Sequence, residues 1–221
     1  MGWLRGLGLS LSLCLCLAGG GAAAAWAPFN AEATGAARGP AALPAGASSL
    51  YAEVGYPEVG AGFRQGLGRF ELEVRGRFDY RQTRVSAEGL FKLAVLRGPR
   101  WSFAPLLGIG VAANAGATYA DEHNFGYVAL RLVAGGIVSY AVSPDVQAFG
   151  TLDVPVDAVT SRPGSYDVAP RLGAGVEWQS NSPWSLFVHV EAGPAFRQND
   201  TAYRDTRLSV AARVGVGYRL F

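Results

Sequence analysis

TRLSVAARVGVGYRLF, residues 206–221, alternates apolar and polar residues at a strict period of two. Every even position from 208 to 220 is apolar, and the odd positions hold three arginines among serine, alanine and glycine. Because successive side chains of a β-strand point to opposite faces, this alternation predicts a strand with one apolar face and one polar face. Such a strand suits a sheet that separates an apolar medium from a polar one.

The same alternation recurs from residue 49 onward, in segments separated by turn residues such as Pro57. No segment follows the helical period of 3.6. Eight segments follow residue 69, and two shorter ones, 49–56 and 58–66, precede it. The pattern predicts an all-β, transmembrane, antiparallel up-and-down β-barrel of ten strands. Eight strands are the alternative if the first two segments lie outside the wall.

The connections between the segments also favour a membrane barrel. Outer-membrane barrels combine short periplasmic turns with longer external loops. Counted back from the C-terminus, long connections at 198–205, 156–165 and 115–124 alternate with short ones at 179–183, 143–145 and 97–100. The short connections therefore mark the predicted periplasmic end.

Five aromatic residues in the apolar phase sit beside a short turn or the C-terminus. An aromatic girdle at one membrane interface requires this placement. The predicted interfacial girdle consists of Trp101, Tyr140, Trp178, Trp184 and Tyr218.

The end of the chain carries a polar residue, a glycine, an aromatic residue and a hydrophobic residue at characteristic spacing. In these respects residues 49–221 resemble small bacterial outer-membrane β-barrel proteins of the OmpA, OmpX and OmpW kind. The resemblance implies an outer-membrane location in a Gram-negative cell envelope, contact with outer-membrane lipid, and insertion by the barrel-assembly machinery. The implied C-terminal assembly signal comprises Arg213, Gly215, Tyr218, Leu220 and Phe221, the last one residue beyond the usual phase.

Residues 1–27 predict a cleaved secretory signal peptide, with Arg5 before the apolar stretch 7–18 and small residues at the cleavage sites. Both cysteines fall within that stretch, so the mature chain has no disulfide or thiolate site. Residues 28–48 are rich in Ala, Gly and Pro without periodicity, which predicts a flexible leader. The barrel domain is then 49–221.

The composition argues against several functions. The net charge of +2 is too small to indicate a nucleic-acid partner. We expect no cofactor and no metal site. Ser185, His189 and Glu191 lie on one strand face, but residues two apart on a face are about 6.6–7 Å apart, whereas a catalytic pair needs about 3 Å. We therefore expect no catalytic residues.

Charged residues of the polar phase set a register for the hairpin around residues 80–83. Opposite charges meet across it when Asp79 faces Arg84, Arg75 faces Glu88 and Glu71 faces Lys92. A shift by one residue would turn charges toward lipid, which is costly. The predicted lumen charge network is Glu71, Arg75, Asp79, Arg84, Glu88, Lys92, Arg171, Glu191, Arg213 and Arg219.

A barrel of eight to ten strands has a narrow interior that side chains mostly fill. The sequence therefore favours a structural or interaction role through the external loops. A narrow small-solute channel is the first alternative, and an outer-membrane enzyme that hydrolyses lipid or peptide bonds is the second. The external ligand, if there is one, is not indicated.

We predict cleavage of the signal peptide after Ala25 or Ala27, because both follow a small-x-small pattern. Intact-mass measurement of the exported protein tests this. Recovery of a mature form that retains Met1 would contradict export by this route.

Overall fold

The structure is a computed structural model that describes residues 36–120, 124–179, 183–199 and 203–220. All regular structure in these residues is β-strand, as the alternation predicts. The strand segments are β1 (Ser48–Tyr56), β2 (Glu58–Leu67), β3 (Phe70–Asp79), β4 (Arg84–Leu93), β5 (Leu96–Arg97), β6 (Trp101–Ala115), β7 (Gly126–Ser143), β8 (Val146–Val159), β9 (Tyr166–Val168), β10 (Arg171–Gln179), β11 (Trp184–Asn199) and β12 (Tyr203–Arg219).

The strands form one closed antiparallel barrel with ten wall strands. Segments β4 and β5 follow one another against β6, and β9 and β10 follow one another between β8 and β11, so each pair acts as a single wall strand. The wall closes where β1 pairs with β12, from Ser49 opposite Arg219 to Tyr56 opposite Ala212. Ten strands are confirmed over eight. Closure satisfies backbone groups that lipid cannot satisfy.

The two faces of the wall differ as the alternation predicts. On β12, Leu208, Val210 and Val214 point outward and are 72%, 41% and 52% exposed. Arg213 and Ala211, from the other phase of the same strand, are buried inside the barrel. The apolar face therefore surrounds the molecule, and the polar face lines the lumen.

The first charged hairpin has the register that its charges predict. Its cross-strand partners are Asp79 and Arg84, Arg75 and Glu88, and Glu71 and Lys92, with Leu72 opposite Phe91 on the outer face.

We call the end where β1 begins and β12 ends the lower rim, and the opposite end the upper rim. All lower-rim connections between wall strands have four residues or fewer. At the upper rim the connections are shorter than predicted, because the strands extend farther: β11 reaches Asn199 and β12 starts at Tyr203, so most of the predicted loop 198–205 is strand. Residues 116–125 form the longest upper connection.

The predicted leader 28–48 requires a correction within its described part. Residues 36–42 and Leu43 are buried inside the barrel at the lower rim, where their backbone groups bond to inward side chains. Ser48 already belongs to β1. The absence of periodicity reflects a non-strand conformation within the lumen, not a flexible segment outside it. The signal peptide prediction lies outside the described residues.

The predicted girdle residues all lie at the lower rim. Trp101 faces Tyr140 with ring centroids 4.5 Å apart, and Trp184 faces Tyr218 at 4.6 Å. Trp178 is exposed on the outer face nearby. The upper rim has outward aromatics that were not predicted as a girdle, among them Tyr56, Tyr80, Tyr166 and Phe196. Among the described residues, no helix has the length and apolar character to cross a membrane.

We predict that Val214→Arg destabilises the barrel by about 2–4 kcal/mol, because Val214 faces outward near mid-wall, where an arginine would lie in hydrocarbon. Thr206→Arg, on the same face of β12 but at the upper rim, is the control and should cost about 0–1 kcal/mol. Urea unfolding in lipid vesicles measures both. Equal costs for the two variants would contradict an outward membrane face at Val214.

Candidate functional site: the charged lumen

The lumen is the one place where the fold gathers charged side chains from most strands of the described chain. Alternation turns them inward, and closure of the sheet then brings distant strands face to face. The buried inward charges are Glu53, Glu58, Arg64, Glu71, Glu73, Arg75, Asp79, Arg84, Glu88, Lys92, Arg131, Asp153, Asp157, Asp167, Arg171, Glu177, Glu191, Arg197 and Arg213.

A first cluster lies near the lower rim around Glu71. Arg64 donates to both carboxylate oxygens of Glu71, through Nε at 2.8 Å and Nη2 at 3.0 Å. Lys92 Nζ lies 2.7 Å from Glu71 and 2.5 Å from Glu73. Tyr51 donates its hydroxyl to Glu73. Two acids are thus shared between two cations, which offsets the cost of burying all four charges.

A second cluster crosses the middle of the lumen. Arg75 Nη2 lies 2.9 Å from both Glu88 and Asp153, although Asp153 is on the far strand β8. Arg131 lies 3.2 Å from Glu88 and donates to Asp157 at 2.6 Å. The same guanidinium–carboxylate chain therefore links β3, β4, β7 and β8.

A third cluster centres on Arg213. This arginine binds Glu191 and lies 3.5 Å from both Glu53 and Glu58. Arg171 adds to it, at 3.0 Å from Glu58. The cluster joins the last strands of the barrel to the first two, across the closing seam.

The structure places nine of the ten predicted network residues in ion pairs, with Asp79 paired to Arg84 at 3.8 Å. Arg219 is the exception and a correction. It is half-buried at the lower rim, opposite Ser49, and among the described residues it has no ion pair within 4 Å. The nearby acid, Glu177, is engaged by another part of the chain.

That part is residues 36–43, which we call the lumen segment. The backbone N–H groups of Ala36 and Ala37 donate to one oxygen of Glu177, each at 2.8 Å. Those of Arg38 and Gly39 donate to the other oxygen, each at 2.7 Å. Consecutive N–H groups that converge on one anion form a nest, a favourable site for a carboxylate.

The side chain of Arg38 extends the anchoring toward β1. Its Nη2 donates to Glu53 at 2.6 Å. Its guanidinium carbon lies 5.1 Å from the ring centre of Tyr51 and 5.6 Å from that of Phe187. An ion pair and two cation–π contacts therefore hold this single arginine.

The remainder of the lumen segment crosses toward β3, β6 and β7. The N–H of Ala41 lies 3.0 Å from Ser102 Oγ, and the N–H of Leu43 donates to Glu71 at 2.5 Å. Arg64 donates to the carbonyl of Pro40 at 2.9 Å. Ala41 and Ala42 of the segment pack on inward apolar residues of the wall, namely Leu90, Ala94, Ala104, Leu106, Val133 and Ile137.

The lumen segment was not predicted, because small residues suit a narrow lumen as well as a flexible linker. Its one available signal was Arg38, a lone cation in the otherwise uncharged stretch 36–43. Three inward aromatic residues were not predicted either. Each lies opposite a glycine whose missing side chain leaves room for the ring: Tyr51 opposite Gly62, Phe149 opposite Gly175 and Phe187 opposite Gly215.

Ser185, His189 and Glu191 face inward but make separate contacts. Ser185 Oγ donates to Glu177 at 2.5 Å, and His189 Nε2 lies 3.0 Å from Thr151 Oγ1. Glu191 lies 3.6 Å from His189 and binds Arg213. In the described part of the chain, no group of three or more His, Cys, Asp or Glu residues is arranged to hold a metal ion.

The predicted assembly-signal residues occupy the end of β12. Arg213 and Gly215 face inward, whereas Tyr218 packs on Trp184 at the lower rim. Leu220 follows the strand, and its N–H donates to the carbonyl of Ser48 at 2.9 Å. Phe221 lies outside the described residues.

No protein-family model matches the chain, and no curated protein matches it in sequence. Among solved structures, a barrel from the de novo design of transmembrane β-barrels is similar at 18% identity, over 81% of this chain and 99% of that one, with a TM-score of 0.37. The NanC porin is similar at 12% identity, over 79% of this chain and 100% of that one, with a TM-score of 0.45. At these identities the likeness concerns the barrel fold.

We predict that Glu177→Gln loosens the lumen segment, because the amide lacks the charge on which four N–H groups converge. A loss of about 1.5–3 kcal/mol corresponds to about 10- to 100-fold faster amide exchange over residues 36–39. Hydrogen-exchange mass spectrometry measures it.

The matched control is Asp145→Asn, an exposed acid in a turn of the same rim. It should leave exchange in residues 36–39 unchanged. Unchanged exchange in Glu177→Gln as well would show that the carboxylate does not anchor the segment.

Proposed function

We propose that this protein is an integral outer-membrane barrel whose lumen is closed to solutes and which acts through its upper connections. The observation that carries the proposal is the occupation of the lower part of the lumen by residues 36–43 of the same chain. Above that segment, inward charges bind one another across the barrel, as between Arg75 and Asp153. In an open pore, water would solvate such charges instead.

We further propose that the lower rim faces the periplasm. Every lower-rim connection between wall strands has four residues or fewer, whereas the two longest connections, β6–β7 and β8–β9, are at the upper rim, and outer-membrane barrels place their longer loops outside. The signal peptide would then deliver the chain to the envelope, and the barrel-assembly machinery would recognise the end of β12. The upper connections would face outward as the surface available to partners.

The described residues at the two ends of the longest upper connection contact neighbouring parts of the upper rim. Phe125 packs on Tyr127 with ring centroids 5.3 Å apart, and Arg162 lies over the Phe125 ring at 5.3 Å. Asn124 donates to the carbonyls of Gln82 and Ala117, at 2.9 and 2.8 Å. These contacts tie one connection to its neighbours.

A non-enzymatic role fits the geometry of the inward serine and histidine of β11. The hydroxyl of Ser185 is directed to Glu177, and the imidazole of His189 to Thr151. A serine nucleophile needs its base within about 2.6–3.2 Å. The pairs that these residues form support structural roles in the lumen.

We predict that the full-length protein, reconstituted in planar bilayers, shows no conductance above that of the bare membrane. The matched variant is Arg38→Ala with Glu177→Gln, which removes the ionic anchoring of residues 36–39. It should show small, intermittent openings. Heat-modifiable migration on a gel verifies that each protein is folded and inserted.

Steady ion flow through the unaltered protein would overturn the closed-lumen proposal in favour of a narrow channel. Failure of the protein to sediment with outer membranes would overturn the proposed location.

A further inference from the structure

The wall of the barrel is uneven at the upper rim, beside the closing seam. β1 has nine residues and β12 has seventeen. Their pairing ends at Tyr56 opposite Ala212, and the part of β12 before Ala212 continues upward paired with β11. The short β1–β2 hairpin therefore leaves a lateral gap between its turn at Pro57 and the edge of β12.

Five arginines converge on this gap, from the β3–β4 hairpin and from β10, β11 and β12. A pocket of about 50 Å³ lies there, and we call it the basic notch. Pro57, the β12 residues 207–210 and small residues of β9–β11 contribute to its walls. Its charged lining consists of Arg81, Arg84, Arg171, Arg197 and Arg207 with the two acids Asp79 and Asp167.

Among the inner arginines of the notch, Arg171 lies 3.0 Å from Glu58 and Arg197 lies 3.2 Å from Asp167, whereas the acids around Arg84 are farther away. Arg84 lies 3.5 Å from Asp167 and 3.8 Å from Asp79, with Asp157 at 3.6 Å and Glu58 at 4.0 Å. None of these distances is that of a close charge-assisted hydrogen bond, which is about 2.7–2.9 Å. The guanidinium of Arg84 is thus positioned in the notch without a close carboxylate among the described residues.

The outer arginines stand where the notch opens sideways. Arg81 is exposed, and its Nη1 donates to the hydroxyl of Tyr56 at 3.1 Å. Arg207 faces the notch, and both its Nε, at 2.5 Å, and its Nη2 contact Asp205. Both are more exposed than Arg84, Arg171 and Arg197, so a ligand from outside the barrel would reach them first.

The level of the mouth relative to the apolar band is set by its neighbours. On β12, Leu208 and Val210 are exposed and apolar, whereas Thr206 and Arg204 on the same face are polar. Outward aromatic residues such as Tyr56 mark the interface between hydrocarbon and head groups. The nine residues of β1 are at the lower limit for spanning a membrane, so its upper end also lies at this interface.

From these observations we propose that the basic notch binds the phosphate group of a lipid in the adjacent leaflet. A phosphate monoester offers oxygens to the forked donors of several arginines at once. A lipid is the source that the position favours, because the mouth opens laterally at head-group depth and Leu208 and Val210 beside it would contact acyl chains. The proposal rests on the membrane barrel proposed above.

The test uses the full-length protein folded in phosphatidylcholine bilayers that contain phosphatidic acid as the phosphate-monoester probe. Native mass spectrometry after detergent extraction counts the retained lipid. We expect phosphatidic acid to be retained in preference to phosphatidylcholine. Arg81→Gln and Arg207→Gln should each weaken retention about tenfold, since each removes one charge-assisted contact to phosphate.

Two control variants distinguish binding at the notch from nonspecific attraction of the anionic lipid to exposed arginines. Arg162→Gln removes an exposed upper-rim arginine outside the notch, and Arg100→Gln removes one at the lower rim. Neither should change retention. Equal loss in the control variants, or none in the notch variants, would overturn the site.

Inorganic phosphate is the competing source. Displacement of phosphatidic acid by millimolar inorganic phosphate, with equal binding of the free ion, would overturn the lipid assignment. Heat-modifiable migration is measured on every sample. Absence of heat-modifiable migration would contradict the membrane barrel itself. A folded barrel that shows no preference for phosphatidic acid would contradict only the proposed site at the notch.

Discussion

Buried charges inside a narrow barrel must neutralise one another, and this constraint governs the lumen. Removing an ion from water costs several kcal/mol, and a neighbouring opposite charge offsets that cost only at close range. The described inward residues satisfy the condition through shared ions: Arg75 serves two acids, and Glu71 serves Arg64 and Lys92. Because each partner lies on another strand, the pairs also fix how strands meet, and Arg75 with Asp153 does so across the barrel.

Between the charged residues, the lumen is filled by cross-strand pairs of one large and one small residue. Tyr51, Phe149 and Phe187 point inward, each opposite a glycine, as Phe187 is opposite Gly215. A Cβ at Gly215 would lie only 2.4 Å from the Phe187 ring, so a larger residue there would displace the ring. The glycines of the alternating pattern therefore serve packing at least as much as wall curvature. Arg38 lies against the same Phe187 ring, so the lumen segment contacts one of these aromatic–glycine pairs.

The two rims of the barrel differ in the groups that occupy them. At the lower rim the lumen segment supplies backbone N–H groups to Glu177, an inward acid that also accepts a hydrogen bond from Ser185 of the wall. At the upper rim the wall strands end at different heights, and arginines cluster beside the upper end of the short strand β1. One rim is thus occupied by the chain itself, and the other presents charge toward its surroundings.

The sequence by itself determined the features that depend on local pattern. A period of two specifies strands and their outward faces, and a short turn restricts a hairpin to few registers. The charges of β3 and β4 are therefore enough to select the pairing of Arg75 with Glu88. The outward girdle aromatics, such as Trp101 beside a short turn, follow from the same phase.

Only the tertiary structure decided the contacts between residues far apart in the chain. Closure of the wall brings Arg213 to Glu53 and Arg75 to Asp153, and no local pattern specifies those partners. Residues 36–43 have no periodic sequence pattern that would indicate a conformation. Their conformation is set by the side chains around them. The basic notch has the same origin: it exists because a short β1 lies beside a long β12, and strand neighbours at the two ends of a chain meet only when the barrel closes.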